Sequence, residues 1–136
     1  MMPMIVWSNQ FSVGVQEVDQ QHQVLVGIVN QLSAALDVQD SDFDSRKVID
    51  ELVQYTVYHF GTEERLMREI SYAALDRHAG EHQSFVKKVG QLVTQLDHGE
   101  GPSLVELLIF LRDWLISHIL NSDRDMGDAL NLAGVR

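Results

Sequence analysis

Two short stretches hold the residues of this 136-residue chain that could do chemistry. They are His59-Phe60-Gly61-Thr62-Glu63 and His78-Ala79-Gly80-Glu81-His82. Each sets two metal-capable side chains four residues apart. On an α-helix that spacing advances about 400°, which leaves the pair about 40° apart on one face and about 6 Å apart along the axis. One such pair is commonplace. Two on consecutive helices, with His22 before them and His118 and Asp123 after, predict a site assembled from four helices. Imidazole with carboxylate suits iron, copper, zinc or manganese.

Four amphipathic segments must position these groups. The first is predicted over 18–37, where Val18, His22, Leu25, Val29, Leu32 and Leu36 form a one-face stripe. Asp19 suits its cap or first turn. A polar connection over 38–43 follows, with Ser41 or Asp42 as the cap of the second helix. That helix is predicted over 44–69, with Val48, Leu52, Tyr55, His59, Glu63 and Leu66 as its stripe. Gly61 inside it costs about 1 kcal/mol relative to alanine and either makes room for a close neighbour or is incidental. The third, over 73–97, carries Leu75, His78, His82, Phe85, Val89, Leu92 and Leu96, and His98-Gly99-Glu100-Gly101-Pro102 stops it. The fourth starts near Ser103 with Leu104, Leu108, Leu111, Leu115 and His118 on one face. Helices of this length on short connections imply an all-α, antiparallel, up-down-up-down four-helix bundle. The reading is one domain over 1–136: an ordered arm over 1–16, the bundle over 17–123, and a tail over 124–136 whose Met126 and Leu130 pack at the bundle end.

Five of the six histidines fall on the core stripes. A single stripe histidine is ordinary core. Five buried together bring ring nitrogens that all need partners, and a metal satisfies one nitrogen of each. A metal-free structural bundle would leave many of them unpaired. In an antiparallel bundle the start of the first helix, the end of the second, the start of the third and the end of the fourth share one end. His22, His59, Glu63, His78, His82 and His118 therefore gather at one depth. Asp123 breaks the spacing: five residues after His118 it stands about 140° out of phase on a straight helix. Either a π-type turn brings it to the same site, or it caps the tail.

Composition narrows the function classes. The net charge is -10 and the pI about 4.8, with no basic patch, so nucleic acid and anionic membrane surfaces are not expected partners. The absence of cysteine excludes disulfides, thiolate-held iron–sulfur clusters, thiolate haem and a cysteine nucleophile. Residues 1–6 lack a signal-peptide pattern, and Glu106, Arg112 and Asp113 interrupt the most apolar stretch, 104–120. A cytoplasmic location is expected. The absence of an apolar outer patch points to a monomer.

The donor count favours two ions. Two six-coordinate ions offer about twelve positions; five histidines, two bridging carboxylates and one bridging oxygen leave one open. An open position on a redox-active pair, walled by apolar helices, suits a small molecule such as O2. Carboxylate-rich di-iron oxidases repeat Glu-x-x-His on their helices, and this chain has no Glu-x-x-His. A histidine-rich site favours reversible binding over O–O cleavage.

These residues resemble the ligand set of the hemerythrin family: His22, His59-x-x-x-Glu63, His78-x-x-x-His82 and His118-x-x-x-x-Asp123. Trp7, Gly14-Val15, Asp19-x-Gln21-His22, His59-Phe60-x-x-Glu63-Glu64-x-x-Met67 and Trp114-Leu115-x-x-His118-Ile119 agree with it. The resemblance runs from Trp7 to Asp123. It implies a non-haem di-iron protein that binds O2 reversibly and is not an enzyme. His78, His82 and His118 would hold one iron, and His22 and His59 the other. Glu63, Asp123 and an oxo or hydroxo group would bridge. O2 would bind at the open position on the two-histidine iron, and Leu115 matches a residue that lines the family's O2 pocket. A carrier, store or supplier of O2 is the expected role, with an oxidase as the partner. The alternatives are an O2 or redox sensor with a signalling partner, and a di-iron enzyme acting on peroxide or nitric oxide.

Overall fold

The computed structural model describes residues 4–38 and 45–136. Four long helices follow one another: α1 (Gln16–Val38), α2 (Ser45–Glu69), α3 (Leu75–Asp97) and α4 (Leu104–His118). No strand occurs among the described residues. Each predicted helix is present with ends displaced by at most a few residues, the scatter expected of frayed termini. The expected cap at Ser41 or Asp42 lies outside the described residues.

The stripes explain the packing. Val18, His22, Leu25, Val29 and Leu32 of α1 are buried, as are Val48, Leu52, His59, Glu63 and Leu66 of α2. His78, His82, Phe85 and Val89 do the same for α3, and Leu108, Leu111, Leu115 and His118 for α4. The outermost stripe positions, Leu36, Leu75, Leu92, Leu96 and Leu104, are half-buried, because the bundle opens at its ends. Helix α1 packs on α2 and α4, and α2 on α3. Phe85 of α3 stacks on Trp114 of α4 with ring centroids 4.0 Å apart.

The turns follow local chemistry. Ser71 takes a left-handed backbone, φ 52°, between α2 and α3. After α3, Gly99 and Gly101 sit at φ 72° and 73°, where a Cβ would be strained. The Glu100 amide then returns 2.8 Å to the Gln95 carbonyl. Ser103 caps α4 by accepting from the Glu106 amide at 3.1 Å. Gly61 makes room for nothing: an added Cβ there would meet no atom within 4 Å.

The arm is ordered over the residues described. Ile5, Val13 and Val15 are buried, and Asn30 of α1 pairs with both backbone groups of Ile5 at 2.8 and 2.9 Å. Asp19, in the first turn of α1, accepts from the Val13 amide at 2.8 Å and from Ser12 Oγ at 2.6 Å. It therefore fastens the arm to the helix start.

The segment after Asp123, expected as a tail, is helical. A π turn over Ile119–Asp123 leads from α4 into α5 (Arg124–Leu132). Met126 and Leu130 are fully buried. Gly127 lets the arm approach closely, since a Cβ there would stand 2.1 Å from the Val13 carbonyl oxygen.

Candidate metal centre

Helix ends decide which side chains meet. His22 lies near the start of α1, His59 and Glu63 in the second half of α2, His78 and His82 at the start of α3, and His118 at the end of α4. Antiparallel packing brings all of them to one depth. The π turn adds Asp123. Its i→i+5 bonding takes up one more residue per turn than an α-helix, which cancels the extra residue in His118-x-x-x-x-Asp123. Asn121 within that turn is exposed and donates to the Ser117 carbonyl at 2.8 Å. Of the two readings of Asp123, the structure has the one that turns it inward: its side chain is 1% exposed.

The seven side chains form two overlapping groups. One is Glu63, His78, His82, His118 and Asp123; the other is His22, His59, Glu63 and Asp123. Within each group the potential ligand atoms all lie within 4.8 Å of one another. The carboxylates divide their oxygens between the groups. Glu63 Oε2 faces His59 Nε2 at 2.8 Å and His22 Nε2 at 3.2 Å. Its Oε1 faces His82 at 3.0 Å, His78 at 3.2 Å and His118 at 3.9 Å. Asp123 Oδ2 faces His22 Nε2 at 3.0 Å, while Oδ1 faces His78 and His118, each at 3.0 Å.

His22 and His78 pair through Nε2 with Glu63, yet not every atom of the cluster finds a donor or acceptor to match it. Both Asp123 oxygens and His22 Nδ1 are buried without a hydrogen-bond partner. His82 Nε2 and His118 Nε2 lie 3.0 Å apart, and the Nδ1 atom of each faces another carboxylate. If each Nδ1 keeps its proton for that carboxylate, two Nε2 lone pairs face each other. Buried carboxylate and imidazole atoms in this arrangement fit a cation.

The electrostatics agree. Burial alone would lower the His22 and His78 imidazoles, but the Asp123 and Glu63 carboxylates outweigh it and raise both to about 9. The same balance raises His118 to about 10. Burial pushes Glu63 up, yet His59, His118 and His22 hold it well below the usual carboxylate range. Asp123 is likewise held low by His118 and His22 against burial and the charge of Glu63. Without metal, the pocket demands positive charge and takes it as protons.

Around this centre the walls are flat and apolar. Phe60 stacks on His82 with centroids 3.7 Å apart, and Trp114 on His118 at 4.4 Å. One helical turn from the histidines lies an apolar cavity of about 20 Å³. Leu25, Thr56, Phe85 and Leu115, each three residues from a histidine on its own helix, help to line it. Its one hydroxyl, on Thr56, is spent on the Leu52 carbonyl at 2.6 Å.

A second ring of residues escaped the stripe argument. Gln21 Oε1 accepts from or faces His59 Nδ1 at 2.7 Å, Glu64 lies 3.0 Å from His82 Nδ1, and Glu81 lies 3.1 Å from His118 Nδ1. Each is the chain neighbour of a stripe residue and stands about 100° round its helix, so it serves the imidazole of an adjacent helix. Adjacency is the signal the sequence offers for Glu81, while Gln21 and Glu64 also stand within the motifs that carry the family resemblance.

Fold and site define a class: an all-α bundle with a buried centre rich in histidine and bordered by two shared carboxylates. The family described as the Hemerythrin HHE cation binding domain matches residues 13–130. Bacteriohemerythrins match along nearly the whole chain. That of Clostridium acetobutylicum is 33% identical, over 92% of this chain and 100% of its own length. That of Stenotrophomonas maltophilia is 34% identical, over 93% and 82%. The crystal structure of a wild-type hemerythrin superposes with a TM-score of 0.84 at 30% identity, covering 93% of this chain and 98% of that one. The chain belongs to the hemerythrin family. Its centre is therefore a non-haem iron-binding type, and no described helix is long and apolar enough to cross a membrane.

Proposed function

We propose that the chain binds O2 reversibly at a di-iron centre, as a carrier, store or supplier and not as an enzyme. The observation that carries the reading is the division of Glu63 and Asp123 between a three-histidine and a two-histidine group. Each carboxylate offers one oxygen to each side, the arrangement of a bridge. His78, His82 and His118 would hold one iron, His22 and His59 the other. An iron pair held by these residues would supply two electrons and a binding place for O2.

The chain's own residues account for the rest. Two histidines make the poorer group, so an open position would fall on their side. Leu115 and Leu25 line the apolar cavity one turn away. Such a cavity stays dry, because a buried water needs two or more polar partners. It has room for a small apolar molecule and keeps protons from the bound gas. Tight apolar walls slow the loss of charged products, which favours release of O2 unchanged.

Anaerobic loading of metal-free protein with ferrous iron tests the reading. About two irons per chain are expected, with an accompanying rise in thermal stability, because ligands assembled by the fold couple metal binding to folding. A stoichiometry of one or none would overturn it.

A further inference from the structure

Four of the five imidazoles differ in how they are held on the side that faces away from the centre. In the three-histidine group, His82 Nδ1 lies 3.0 Å from Glu64 Oε2. His118 Nδ1 lies 3.1 Å from Glu81 Oε2, which Ser122 Oγ also holds at 2.5 Å. In the two-histidine group, His59 Nδ1 faces the neutral amide oxygen of Gln21 at 2.7 Å, and that amide is fixed by its own 3.2 Å bond to Thr62 Oγ1. His22 Nδ1 has no partner. The outer carboxylates thus stand on one side only. The imidazoles they touch are nearly inaccessible, at 2% and 4% exposure, so each carboxylate acts on a ring shielded from water.

We infer that Glu64 and Glu81 are positioning residues that make the two metal positions unequal, so that the three-histidine position fills first and the two-histidine position second. An imidazole whose Nδ1–H donates a hydrogen bond to a carboxylate is locked in one tautomer and orientation, and its Nε2 becomes a stronger metal ligand. A neutral amide orients the ring without that charge. Glu64 and Glu81 are themselves 27% and 36% exposed, so water screens their charge at longer range and their direct contact with the buried rings carries the effect. Glu63 and Asp123 serve both positions and do not distinguish them. Sequential filling places the first ion in the more complete cage, where it orders the shared carboxylates for the second.

The inference rests on the two-ion reading above, and its test separates the two. Metal-free protein is titrated with cobalt(II) under argon and followed by calorimetry and by the visible ligand-field bands. Wild type should bind two ions in two resolved steps. Glu64→Gln together with Glu81→Gln preserves shape and should weaken the tighter step by roughly 10- to 100-fold while moving the weaker step by less than about threefold. His59→Ala should abolish the weaker step and leave the tighter one. Fewer than two ions in wild type would overturn the two-ion reading and the inference with it. Two ions in one unresolved step, equal weakening of both steps by the glutamine pair, or loss of the tighter step in His59→Ala would overturn the inference and leave the two-ion reading standing.

Discussion

Glu63→Gln isolates the bridging role proposed for Glu63. The glutamate is fully buried, with one oxygen 2.8 to 3.2 Å from two imidazoles and the other 3.0 to 3.9 Å from three. Glutamine keeps the shape but has one oxygen and one NH2 group, and the NH2 has no lone pair for a metal. Its amide can serve one position and must turn its NH2 on the other. Iron content should fall from about two per chain to at most one. At free iron near 100 times the dissociation constant, a lost site removes about 2.7 kcal/mol of stabilisation. For a domain of this size that is roughly 10 °C in Tm. The assay is metal analysis after anaerobic loading, paired with calorimetry at fixed free iron. Circular dichroism checks that the fold persists. Two irons per chain with an unshifted Tm would refute the bridge.

The other perturbations separate ligation, pocket and fold. His82→Ala should lower iron content and stability together; unchanged stoichiometry would remove it from the ligand set. Leu115→Asn should leave iron bound and hasten loss of the oxygenated form, and an unaltered autoxidation rate would place Leu115 outside the pocket. Gly127→Ala must move the Val13 carbonyl, 2.1 Å from the new Cβ. It should cost about 1–3 kcal/mol in urea unfolding without changing iron stoichiometry; a neutral effect would contradict the close approach of arm and α5. In metal-free protein, His22, His78 and His118 are raised from 6.5 to about 9, 9 and 10. Their stabilisation is full below pH 6.5 and is lost as pH rises through 9 to 10. The metal-free Tm should therefore fall across that range, and iron uptake near pH 8 should release protons. A flat profile with no proton release would mean the buried imidazoles are already neutral.

The four helices and six of the seven inward groups were legible because burial on a helix repeats every 3.6 residues and antiparallel packing fixes depth. His22 and His118 share an end of the bundle for that reason alone. Asp123 was ambiguous from spacing, since a π turn has no composition of its own; resemblance pointed inward, and the side chain lies there. The outer contacts of Gln21, Glu64 and Glu81 were not legible as contacts, because they run between helices and depend on relative rotation. Gly61 and Gly127 look alike in sequence. One faces open space and the other a carbonyl, a difference made by the arm folding back. In sequence the continuation over Arg124–Leu132 reads as a tail because the segment is short; the structure makes it a helix that buries Met126 and Leu130.

Reversible O2 binding is tested most directly by the visible spectrum of the iron-loaded protein, cycled between argon and air. A charge-transfer band that appears in air and fades under argon over several cycles is the predicted result. A band that appears once and persists, or none at all with two irons bound, would contradict reversible binding and point to an oxidising enzyme or a redox sensor.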